Sequence, residues 1–292
     1  MKNKILILGS NGQLGTALSK LFIMDGTNFQ GLDYPEIDLT NISSFEKKIS
    51  NCSPDILINC AAYTDVYKAE IDIENALIVN GIALKPIVNI CNENNICLCH
   101  ISTDYIFDGE KNRAYSECDL PNPINIYGLS KYIGEKIVQL YSQQYVIIRT
   151  SALYGNSNND SINIVKKIIN LTKKNNIVKL VEDEFTSPTY TVYLAKQIKL
   201  IIKNNLQGVI HATSEGYCNW VEFGKYLFEL SDIDVEIEEV KSSYFNRSLK
   251  KPKFSVLDNK IIKDHGINIM PHWKEELKQY LKSVENKLKK HS

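Results

Sequence analysis

The sequence has no excess of charge of either sign, because 34 lysine and arginine residues balance 34 aspartate and glutamate residues. A chain without an overall positive field has no general attraction to nucleic acid or to an anionic membrane surface, so we expect neither as a partner. We also find no apolar stretch that approaches the ~20 residues needed to span a bilayer. The first apolar run, Ile5–Leu8, is too short for the core of a signal peptide, and the expected location is cytoplasmic.

Cysteine occurs in an odd number, and several cysteines lie in apolar runs that resemble core strands, which indicates reduced thiols. The cysteines are Cys52, Cys60, Cys91, Cys97, Cys99, Cys118 and Cys218. Zinc sites usually use cysteine pairs two to four residues apart with a second pair elsewhere. The run Ile96–Ile101, which contains Cys97, Cys99 and His100, instead has the pattern of a buried strand. We therefore predict no metal site.

Internal repeats and low-complexity segments are also missing, and a composition of 43% hydrophobic and 23% charged residues is that of an ordinary globular protein. At 292 residues, the chain is expected to form one large domain or two interleaved domains. Its first half alternates apolar strands with amphipathic helices. This alternation predicts an α/β fold with a doubly wound parallel sheet, covered by helices on both faces.

The pattern predicts five strands for that sheet, which cover Lys4–Leu8, Phe29–Leu32, Asp55–Cys60, Ile96–Ile101 and Tyr145–Arg149, and a further strand in the second half at Val209–Ala212. The second half is less regular and reads as a smaller, mainly helical part. We predict a dinucleotide-binding domain over 1–153, to which 179–213 returns. The substrate-binding part then comprises 154–178 and 214–292.

A glycine-rich segment follows the first predicted strand, with glycines at Gly9, Gly12 and Gly15. Gly9 permits a tight turn, Gly12 lets the backbone approach a pyrophosphate, and Gly15 lets the next helix pack closely on the strand. The amino terminus of that helix offers free N–H groups and a positive dipole to phosphates. Three glycines alone could form a plain structural turn, but their place between a strand and a helix favours a dinucleotide site.

Asp33 ends the second predicted strand, 18 residues after Gly15. A carboxylate at this position can accept hydrogen bonds from the hydroxyls of an adenosine ribose, and it would repel a 2′-phosphate. This arrangement favours NADH over NADPH. The alternative is an aspartate that only caps a turn.

Tyr127 and Lys131 are four residues apart in a predicted helix, so their side chains share one face. A phenol has a pKa near ~10, and a neighbouring ammonium group is expected to lower it. Tyr127 could then give a proton to a carbonyl oxygen. The same spacing also occurs in ordinary pairs on a helix surface, but the position after the fourth strand favours catalysis.

Thr103 follows the predicted strand that ends at Ile101. The carboxyl ends of the strands form the binding crevice of an open α/β sheet, so this hydroxyl could hold a substrate carbonyl. A helix cap or turn residue is the alternative.

Taken together, these residues resemble the extended short-chain dehydrogenase/reductase superfamily and, within it, the dTDP-4-dehydrorhamnose reductase family. The resemblance covers nearly the whole chain and implies a Rossmann fold. The motifs that carry it are Gly9–Gly15, Asn59–Thr64, Ala69-Glu70, Ser102–Gly109, Tyr127–Lys131, Arg149–Ser151, Ser187–Thr189 and Trp273–Leu277.

The resemblance implies that Thr103, Tyr127 and Lys131 form the catalytic group and that the cofactor is NADH or NADPH. The residues expected to bind the cofactor are Gly9, Gly12, Gln13, Leu14, Gly15, Asp33, Asp38, Leu39, Ala62, Tyr63, Thr64, Tyr127 and Lys131. The residues expected on the substrate side are Thr103, Asp104, Ala152 and Lys251.

The sequence departs from the family pattern in several places. Ala152 stands where the family usually has tryptophan in the sugar pocket, so the specificity for rhamnose is open. Lys251 replaces an arginine, which keeps the charge but loses the bidentate geometry toward phosphate. Thr16 and Ala17 stand where some members have a glutamate that binds Mg²⁺ between subunits, so we predict no such metal-bridged dimer, although a homodimer as such stays open.

The expected reaction is the reduction of a nucleotide-linked 4-keto-6-deoxy sugar in surface polysaccharide biosynthesis. Lys250, Lys251 and Lys253 are candidates to bind the diphosphate of that substrate. One alternative is a nucleotide-sugar epimerase or dehydratase on the same scaffold; a dehydratase tends to have an acidic pair after the threonine, where this chain has Asp104-Tyr105. Another alternative is a regulatory subunit without turnover, although both Tyr127 and Lys131 are present.

Overall fold

The computed structural model describes residues 3–157, 163–173, 176–245 and 249–290. Twelve strands occur in this part of the chain. They are β1 (Ile5–Leu8), β2 (Phe29–Leu32), β3 (Ile56–Asn59), β4 (Cys97–Thr103), β5 (Tyr145–Thr150), β6 (Leu153–Tyr154), β7 (Ile177–Val181), β8 (Phe185–Thr186), β9 (Thr189–Tyr190), β10 (Gly208–His211), β11 (Cys218–Asn219) and β12 (Glu236–Val240).

The helices of the described residues alternate with these strands or follow the last of them. They are α1 (Gln13–Asp25), α2 (Ile42–Cys52), α3 (Val66–Ala69), α4 (Ile73–Leu77), α5 (Leu84–Glu93), α6 (Ile126–Tyr141), α7 (Ile164–Thr172), α8 (Thr191–Lys203), α9 (Trp220–Leu230), α10 (Lys260–Asp264) and α11 (Trp273–Lys290). A π-helical turn covers Ile78–Ile82, and short 3₁₀ turns cover Asp104–Ile106 and Ser242–Phe245. The predicted start of α7 at Ile162 lies outside the described residues.

Six strands form one parallel sheet in the order β2-β1-β3-β4-β5-β10. They are the six predicted strands, and each of their ends lies within two residues of the predicted one. The chain leaves β1 toward β2 on one side and then returns to place β3 on the other side of β1. This reversal makes a crevice beyond the carboxyl ends of β1 and β3, where open α/β sheets bind their ligands.

Alternate residues of each strand point to opposite faces of the sheet, and both faces are covered. Ile5 and Ile7 of β1 belong to a core that includes apolar residues of α1, α8 and α10. Leu6 and Leu8 belong to a second core on the other face, with residues of α2 and α5. Two buried faces explain why the strands appear in the sequence as continuous apolar runs. The predicted doubly wound Rossmann fold is confirmed.

A third core holds the smaller part together, and it is rich in aromatic side chains. It includes Tyr154, Phe223 and Tyr280 and draws on α7, α9 and α11. Strands β7 and β12 pair in parallel there, so the part expected to be mainly helical also contains short sheets. Within the segment 179–213, α8 and β10 join the large sheet unit, whereas residues 179–181 belong to β7. The domain limits stay a prediction.

One helical run among the described residues is long and apolar enough to cross a membrane. It covers Ile73–Glu93, 21 residues that include α4, the π-helical turn and α5. The sequence analysis expected no apolar stretch close to the ~20 residues that span a bilayer. By length and composition alone, this run shows that expectation to be wrong. Leu84, Ile87 and Cys91 in this run are fully buried in the core next to the sheet, and the run packs against α6. These apolar side chains therefore pack in the core of a globular fold.

Candidate active site

A cavity of about 580 Å³ lies beyond the carboxyl ends of the central strands, at the reversal between β1 and β3. It brings together all but four of the residues predicted for cofactor, catalysis and substrate. Those in its wall are Gly9, Gly12, Gln13, Leu14, Gly15, Asp33, Asp38, Leu39, Ala62, Thr64, Thr103, Asp104, Tyr127, Lys131 and Ala152. The four that are not part of the wall are Tyr63, Lys250, Lys251 and Lys253. The roles of all these residues stay predictions.

The three loop glycines occupy positions with different steric demands. Gly9 has φ +77°, and a side-chain carbon there would lie 2.7 Å from the amide nitrogen of Ala61. A side-chain carbon at Gly15 would collide with the carbonyl oxygen of Gly9, so this position needs glycine for helix packing. At Gly12 the nearest atom, the carbonyl oxygen of Gly9, would be 3.4 Å away, an ordinary contact. The protein itself therefore tolerates a side chain at Gly12, and that side chain would occupy the cavity.

Asp33 is held by the main chain around it. One carboxylate oxygen accepts a hydrogen bond from the amide of Asn11 at 2.7 Å, and the other accepts one from the amide of Tyr34 at 2.8 Å. The carboxylate thus links the end of β2 to the glycine loop. It lines the cavity and is only partly exposed, which is compatible with a ribose contact.

Asn80 of the π-helical turn fixes the main chain of the segment after β3, a role that the sequence analysis missed. Its side-chain oxygen accepts from the amide of Tyr63 at 2.8 Å, and its nitrogen donates to the carbonyl of Tyr63 at 3.0 Å and to the Ser130 hydroxyl at 3.0 Å. The Tyr63 hydroxyl donates to Asp72. Tyr63 therefore contributes here through the position of its backbone, while the neighbouring Ala62 and Thr64 line the cavity.

The amino terminus of α6, which carries Tyr127, is anchored from three sides. Asn125 caps the helix by accepting from the amide of Gly128 at 2.8 Å, and it also donates to the carbonyl of Lys250 at 3.0 Å. Glu70 accepts from the amide of Ile126 at 2.8 Å, which gives the Ala69-Glu70 motif a structural role. A side-chain carbon at Gly128 would collide with the carbonyl of Tyr105, so α6 can approach this closely only with glycine there.

A buried ion pair locks α6 against β5. The guanidinium of Arg149 donates to both carboxylate oxygens of Glu135, with a closest distance of 2.8 Å, and both side chains are almost fully buried. Loss of one partner would leave an unpaired buried charge, which is strongly destabilising. Arg149 of the Arg149–Ser151 motif thus holds α6 against β5.

Burial shifts the pKa values of the predicted catalytic pair in opposite directions. It raises the pKa of Tyr127 to about 12, with the negative charge of Asp104 adding to the rise and a hydrogen bond with Thr103 opposing it. It lowers the pKa of Lys131 to about 8, although Glu135 and Cys60 oppose the fall. The expected lowering of the Tyr127 pKa by Lys131 is therefore wrong for this state, because burial dominates. Tyr127 is a protonated phenol here, as a proton donor must be.

Lys131 reaches the floor of the cavity rather than the surface. Its ammonium group donates to the carbonyl oxygen of Ile101 at 2.6 Å, and the side chain is 3% exposed. This bond holds the cation next to the end of β4. The side chain is thus in place to contact a ligand in the cavity without leaving the helix face that it shares with Tyr127.

Thr103 ends β4 and contacts the next residue through its side chain. Its hydroxyl donates to Oδ1 of Asp104 at 3.0 Å and accepts from the amide of Tyr105 at 3.2 Å. A hydroxyl has one proton to donate. In this arrangement the proton of Thr103 goes to Asp104, and its predicted bond to a substrate carbonyl requires that contact to change.

The wall opposite the glycine loop is assembled from side chains that are far apart in the sequence. Glu184, Phe185, Trp220 and Ser255 all line the cavity, and none was predicted. Lys251 lies behind this wall, with its ammonium 3.5 Å from Glu184. Two of the four could have been suspected from the sequence, because Phe185 lies just before the motif Ser187–Thr189 and Ser255 lies just after Lys251, a predicted substrate residue.

Ala152 lies in the cavity wall, as expected, and has φ +43°. This left-handed conformation is uncommon for a residue with a side chain. No large ring projects from this position, although Phe185 and Trp220 supply aromatic surface elsewhere in the wall.

Metal-ligating side chains do not gather anywhere in the described ranges: no group of three or more His, Cys, Asp and Glu residues is found there. The seven cysteines are all free thiols. His100 is fully buried, and its Nδ1 lies 3.3 Å from the side-chain nitrogen of Asn59. Burial holds the pKa of His100 well below its usual range.

Sequence comparison decides the family. Residues 2–286 match the family described as the RmlD substrate binding domain. The chain belongs to this family. This chain is also similar to the spore coat polysaccharide biosynthesis protein SpsK of Bacillus subtilis, with 31% identity over 278 residues, 95% of this chain and 96% of that protein.

Two solved structures of the same family superpose closely. A dTDP-4-dehydrorhamnose reductase from Clostridium acetobutylicum has a TM-score of 0.92 and 36% identity, and covers 97% of this chain and 99% of its own. A dTDP-4-dehydrorhamnose reductase from Bacillus anthracis, solved in complex with NADP, has a TM-score of 0.92 and 35% identity, with coverages of 97% and 100%. The resemblance to the dTDP-4-dehydrorhamnose reductase family is confirmed.

Proposed function

We propose that this protein reduces the keto group of a nucleotide-linked 4-keto-6-deoxy sugar to an alcohol, with NADH or NADPH as the reductant. The observation that carries the proposal is the single cavity that joins the glycine loop to Thr103, Tyr127 and Lys131. The solved relatives with 35–36% identity are dTDP-4-dehydrorhamnose reductases, which supports a substrate of the same class. The SpsK relative supports a role in polysaccharide biosynthesis.

The cavity wall fits a dinucleotide. The open position at Gly12 lets the loop approach a pyrophosphate, and Gly12 itself, at the start of α1, has no side chain to cap the helix amides. Asp33 is available for ribose hydroxyls, and Lys131 for the ribose next to the nicotinamide. When bound, the reduced nicotinamide supplies the hydride for the keto carbon.

Tyr127 donates the proton in this mechanism. Its phenol stays protonated at neutral pH because burial holds its pKa at about 12. As negative charge develops on the carbonyl oxygen, the phenol proton moves to that oxygen and the alcohol forms. Lys131 then stabilises the phenolate that is left behind, since its ammonium group is held on the same face of α6.

The two alternative functions make less use of these residues. A dehydratase must remove water from the sugar, and the position after Asp104, where a second acid would assist, is Tyr105. A regulatory subunit without turnover has no need for Tyr127 and Lys131 together in a cavity wall. An epimerase regenerates its cofactor in each cycle, whereas a reductase consumes it, and this difference separates the two by experiment.

On the nucleotide side, Lys250, Lys251 and Lys253 are the proposed partners of the diphosphate. The Lys251 ammonium already lies 3.5 Å from Glu184 in the cavity wall, so it can exchange this carboxylate for a phosphate. A cytoplasmic location fits seven free thiols and the supply of NAD(P)H. A homodimer stays a prediction that sedimentation of the purified protein would test.

The test is an assay of the purified protein against a panel of nucleotide-linked 4-keto-6-deoxy sugars, with NADH and NADPH absorbance as the readout. We expect stoichiometric cofactor oxidation with at least one dTDP-linked member, and a Lys131→Met variant that binds cofactor more weakly and turns over more slowly. Conversion of the sugar without net cofactor oxidation would refute the proposal and favour an epimerase.

A further inference from the structure

Two sequence motifs outside the cavity wall are linked by one buried carboxyl group. The motif Trp273–Leu277 begins α11, and the motif Ser187–Thr189 leads into β9. Glu276 of the first motif is fully buried. Its Oε2 atom lies 2.6 Å from the amide nitrogen of Tyr190, which donates to it, and 2.7 Å from the hydroxyl oxygen of Ser214. Glu276 therefore joins α11 to β9.

The contacts of Ser214 indicate the form that this carboxyl group takes. The hydroxyl oxygen of Ser214 lies 2.6 Å from the carbonyl oxygen of Pro188, which can only accept, as well as 2.7 Å from Glu276 Oε2. A hydroxyl has one proton to donate, so it cannot serve two acceptors. All contacts are satisfied when Ser214 donates to Pro188 and a neutral Glu276 donates to Ser214. Burial also raises the pKa of Glu276 from 4.5 to about 8, although the bonds with Tyr190 and Ser214 oppose the rise.

The other oxygen of Glu276 agrees with a neutral acid. In the part of the chain that the structure describes, Glu276 Oε1 is one of eight buried side-chain atoms without a hydrogen-bond partner, and two more of the eight are the Tyr154 hydroxyl and Thr191 Oγ1. Thr191 follows Tyr190, and Tyr154 is paired in register with Tyr190, so these atoms belong to one region of the core. A buried carboxylate needs hydrogen bonds to both oxygens, whereas a neutral carboxyl group needs fewer.

The titratable groups that face Glu276 from β6, β9 and α8 are all tyrosines. They are Tyr154, Tyr190 and Tyr193, and burial raises the pKa of each, with the charge of Glu276 adding to the rise. All three therefore stay neutral at physiological pH. On α11 itself, the Tyr280 hydroxyl accepts from Asn163 at 3.0 Å.

The charged groups on the remaining neighbours of α11 are directed elsewhere. Glu215, in the turn whose carbonyl accepts from the first amide of α11, pairs with Lys263 at 3.1 Å. Tyr226 of α9 packs against the indole ring at the start of α11. His272 and Glu275 are exposed. None of these groups pairs with the carboxyl group of Glu276, so the carboxyl group gains nothing from ionising.

The segment that Glu276 holds, Ser187–Tyr190, supports one side of the cavity wall. The amide of Thr189, in this segment, donates to the carbonyl of Ala152 at 3.3 Å. The Ser151 hydroxyl lies 2.6 Å from the Thr186 hydroxyl and 3.3 Å from the carbonyl oxygen of Ser187. Ser151, Ala152 and Thr186 all line the cavity. A change at Glu276 therefore reaches the wall through a single short segment of main chain.

We propose that Glu276 is a positioning residue that works as a neutral acid, and that its ionisation releases the wall at Ser151, Ala152 and Thr186. An ionised Glu276 competes with the carbonyl of Pro188 for the one proton of the Ser214 hydroxyl, so one of the two bonds is lost. The wall then loses support from α11, and we expect weaker binding of the sugar. This consequence for turnover rests on the proposed function, whereas the ionisation itself does not.

The experiment compares the natural protein with Glu276→Gln and with Glu275→Gln, an acid-to-amide control at the exposed neighbouring position. The Glu276→Gln amide offers an oxygen and an N–H group in nearly the same shape but cannot ionise. For each form, steady-state kinetics give the KM of a dTDP-linked 4-keto-6-deoxyhexose at about pH 6.5 and about pH 9. Titration with NADPH gives the dissociation constant of the cofactor and verifies that each form is folded.

Between these two pH values, the KM of the sugar should rise about tenfold more in the natural protein and in the control than in Glu276→Gln. The factor follows because the neutral fraction falls to about a tenth one pH unit above a pKa of about 8. The dissociation constant of NADPH should follow the same course in all three forms. Lys131 and every other titrating group are common to them, so the comparison cancels their effects. An equal rise of KM in Glu276→Gln and the natural protein overturns the proposal and leaves the proposed function intact.

Thermal unfolding tests the ionisation without any substrate. The pKa of Glu276 is raised from 4.5 to about 8 in the folded protein, so its stabilisation is present at low pH and is lost as the pH rises through about 8. The unfolding temperature of the natural protein should therefore fall relative to that of Glu276→Gln between about pH 5 and pH 8. A constant difference overturns the proposal. Reduction of no ketosugar by the natural protein overturns the proposed function instead, so the two failures are distinct.

Discussion

The cavity wall has two contrasting parts: a glycine end, which contains Gly9, Gly12 and Gly15, and a side-chain end, which contains Asp104, Glu184 and Ser255. The glycine end depends on the absence of side chains and on one turn between a strand and a helix. The side-chain end depends on residues that only the folded chain brings together. The difference suggests that cofactor binding is robust to change in the second half of the chain, while substrate choice is not.

The largest expected effect is the loss of turnover when Tyr127 is substituted. Tyr127→Phe removes only the phenol hydroxyl, so the fold and cofactor binding should survive while kcat falls by about 10²–10⁴-fold. Tyr132→Phe, on the same helix but outside the cavity wall, is the matched control and should keep its rate. Steady-state NAD(P)H oxidation measures both. Near-normal turnover of Tyr127→Phe would point to another acid.

The glycine end offers a pair of variants that separates ligand binding from folding. Gly12→Val should leave the thermal unfolding temperature within a few degrees of the natural value but weaken NAD(P)H binding by about 1.4 kcal/mol or more, that is tenfold or more. Gly15→Val should instead destabilise the fold, since its side chain would collide with the Gly9 carbonyl. Nicotinamide fluorescence and thermal unfolding give the two readouts. Equal cofactor affinity in Gly12→Val and the natural protein would remove the loop from the binding site.

Substitution of Asp33 tests how much of the preference between NADH and NADPH comes from one carboxylate. Its charge should favour NADH, so Asp33→Ser should raise kcat/KM for NADPH about fivefold, in line with one screened charge contact of about 1 kcal/mol in water. A clear preference of the natural protein for NADPH would mean that the bonds to Asn11 and Tyr34 keep the Asp33 charge away from the ribose.

The last expected effect is on folding stability and not on activity, and it concerns Asp104 in the side-chain end of the cavity. Burial raises the pKa of Asp104 from 3.8 to about 6. A raised pKa means that the folded state holds the proton more tightly, so the stabilisation is present below the unfolded pKa and is lost as the pH rises through about 6. At pH 8 Asp104→Asn should therefore be more stable than the natural protein by roughly 2 kcal/mol, a few degrees in unfolding temperature. The gap should close below pH 4; a constant gap would contradict the buried charge as its cause.

The sequence alone was sufficient to predict the strands of the large sheet and the position of the glycine loop in the cavity wall. Strands β1 to β5 and β10 can be identified as short apolar runs, because each is buried on both faces. The glycine loop can be identified because it is one continuous segment that follows β1. Tyr127 and Lys131 were found for the same reason, because their spacing on a helix is local.

The side-chain end could not be predicted in the same way. Glu184, Trp220 and Ser255 have no shared spacing, and only the packing of the smaller part against the sheet brings them to one wall. The pKa of Tyr127 was also beyond sequence reasoning, because it depends on burial and on Asp104, not on the spacing to Lys131. The short strands β7 and β12 were missed because five-residue strands in a mixed region lack a distinctive period.

The most direct test of the whole account is the fate of the hydride. The purified protein is given a dTDP-linked 4-keto-6-deoxyhexose with NADPH or NADH deuterated on one face of the nicotinamide, and then on the other. We predict that one of the two labelled forms places a single deuterium on the carbon that carried the keto group, with one cofactor oxidised per alcohol formed. A product without deuterium from either form, or a changed sugar with no net oxidation of the cofactor, would contradict it.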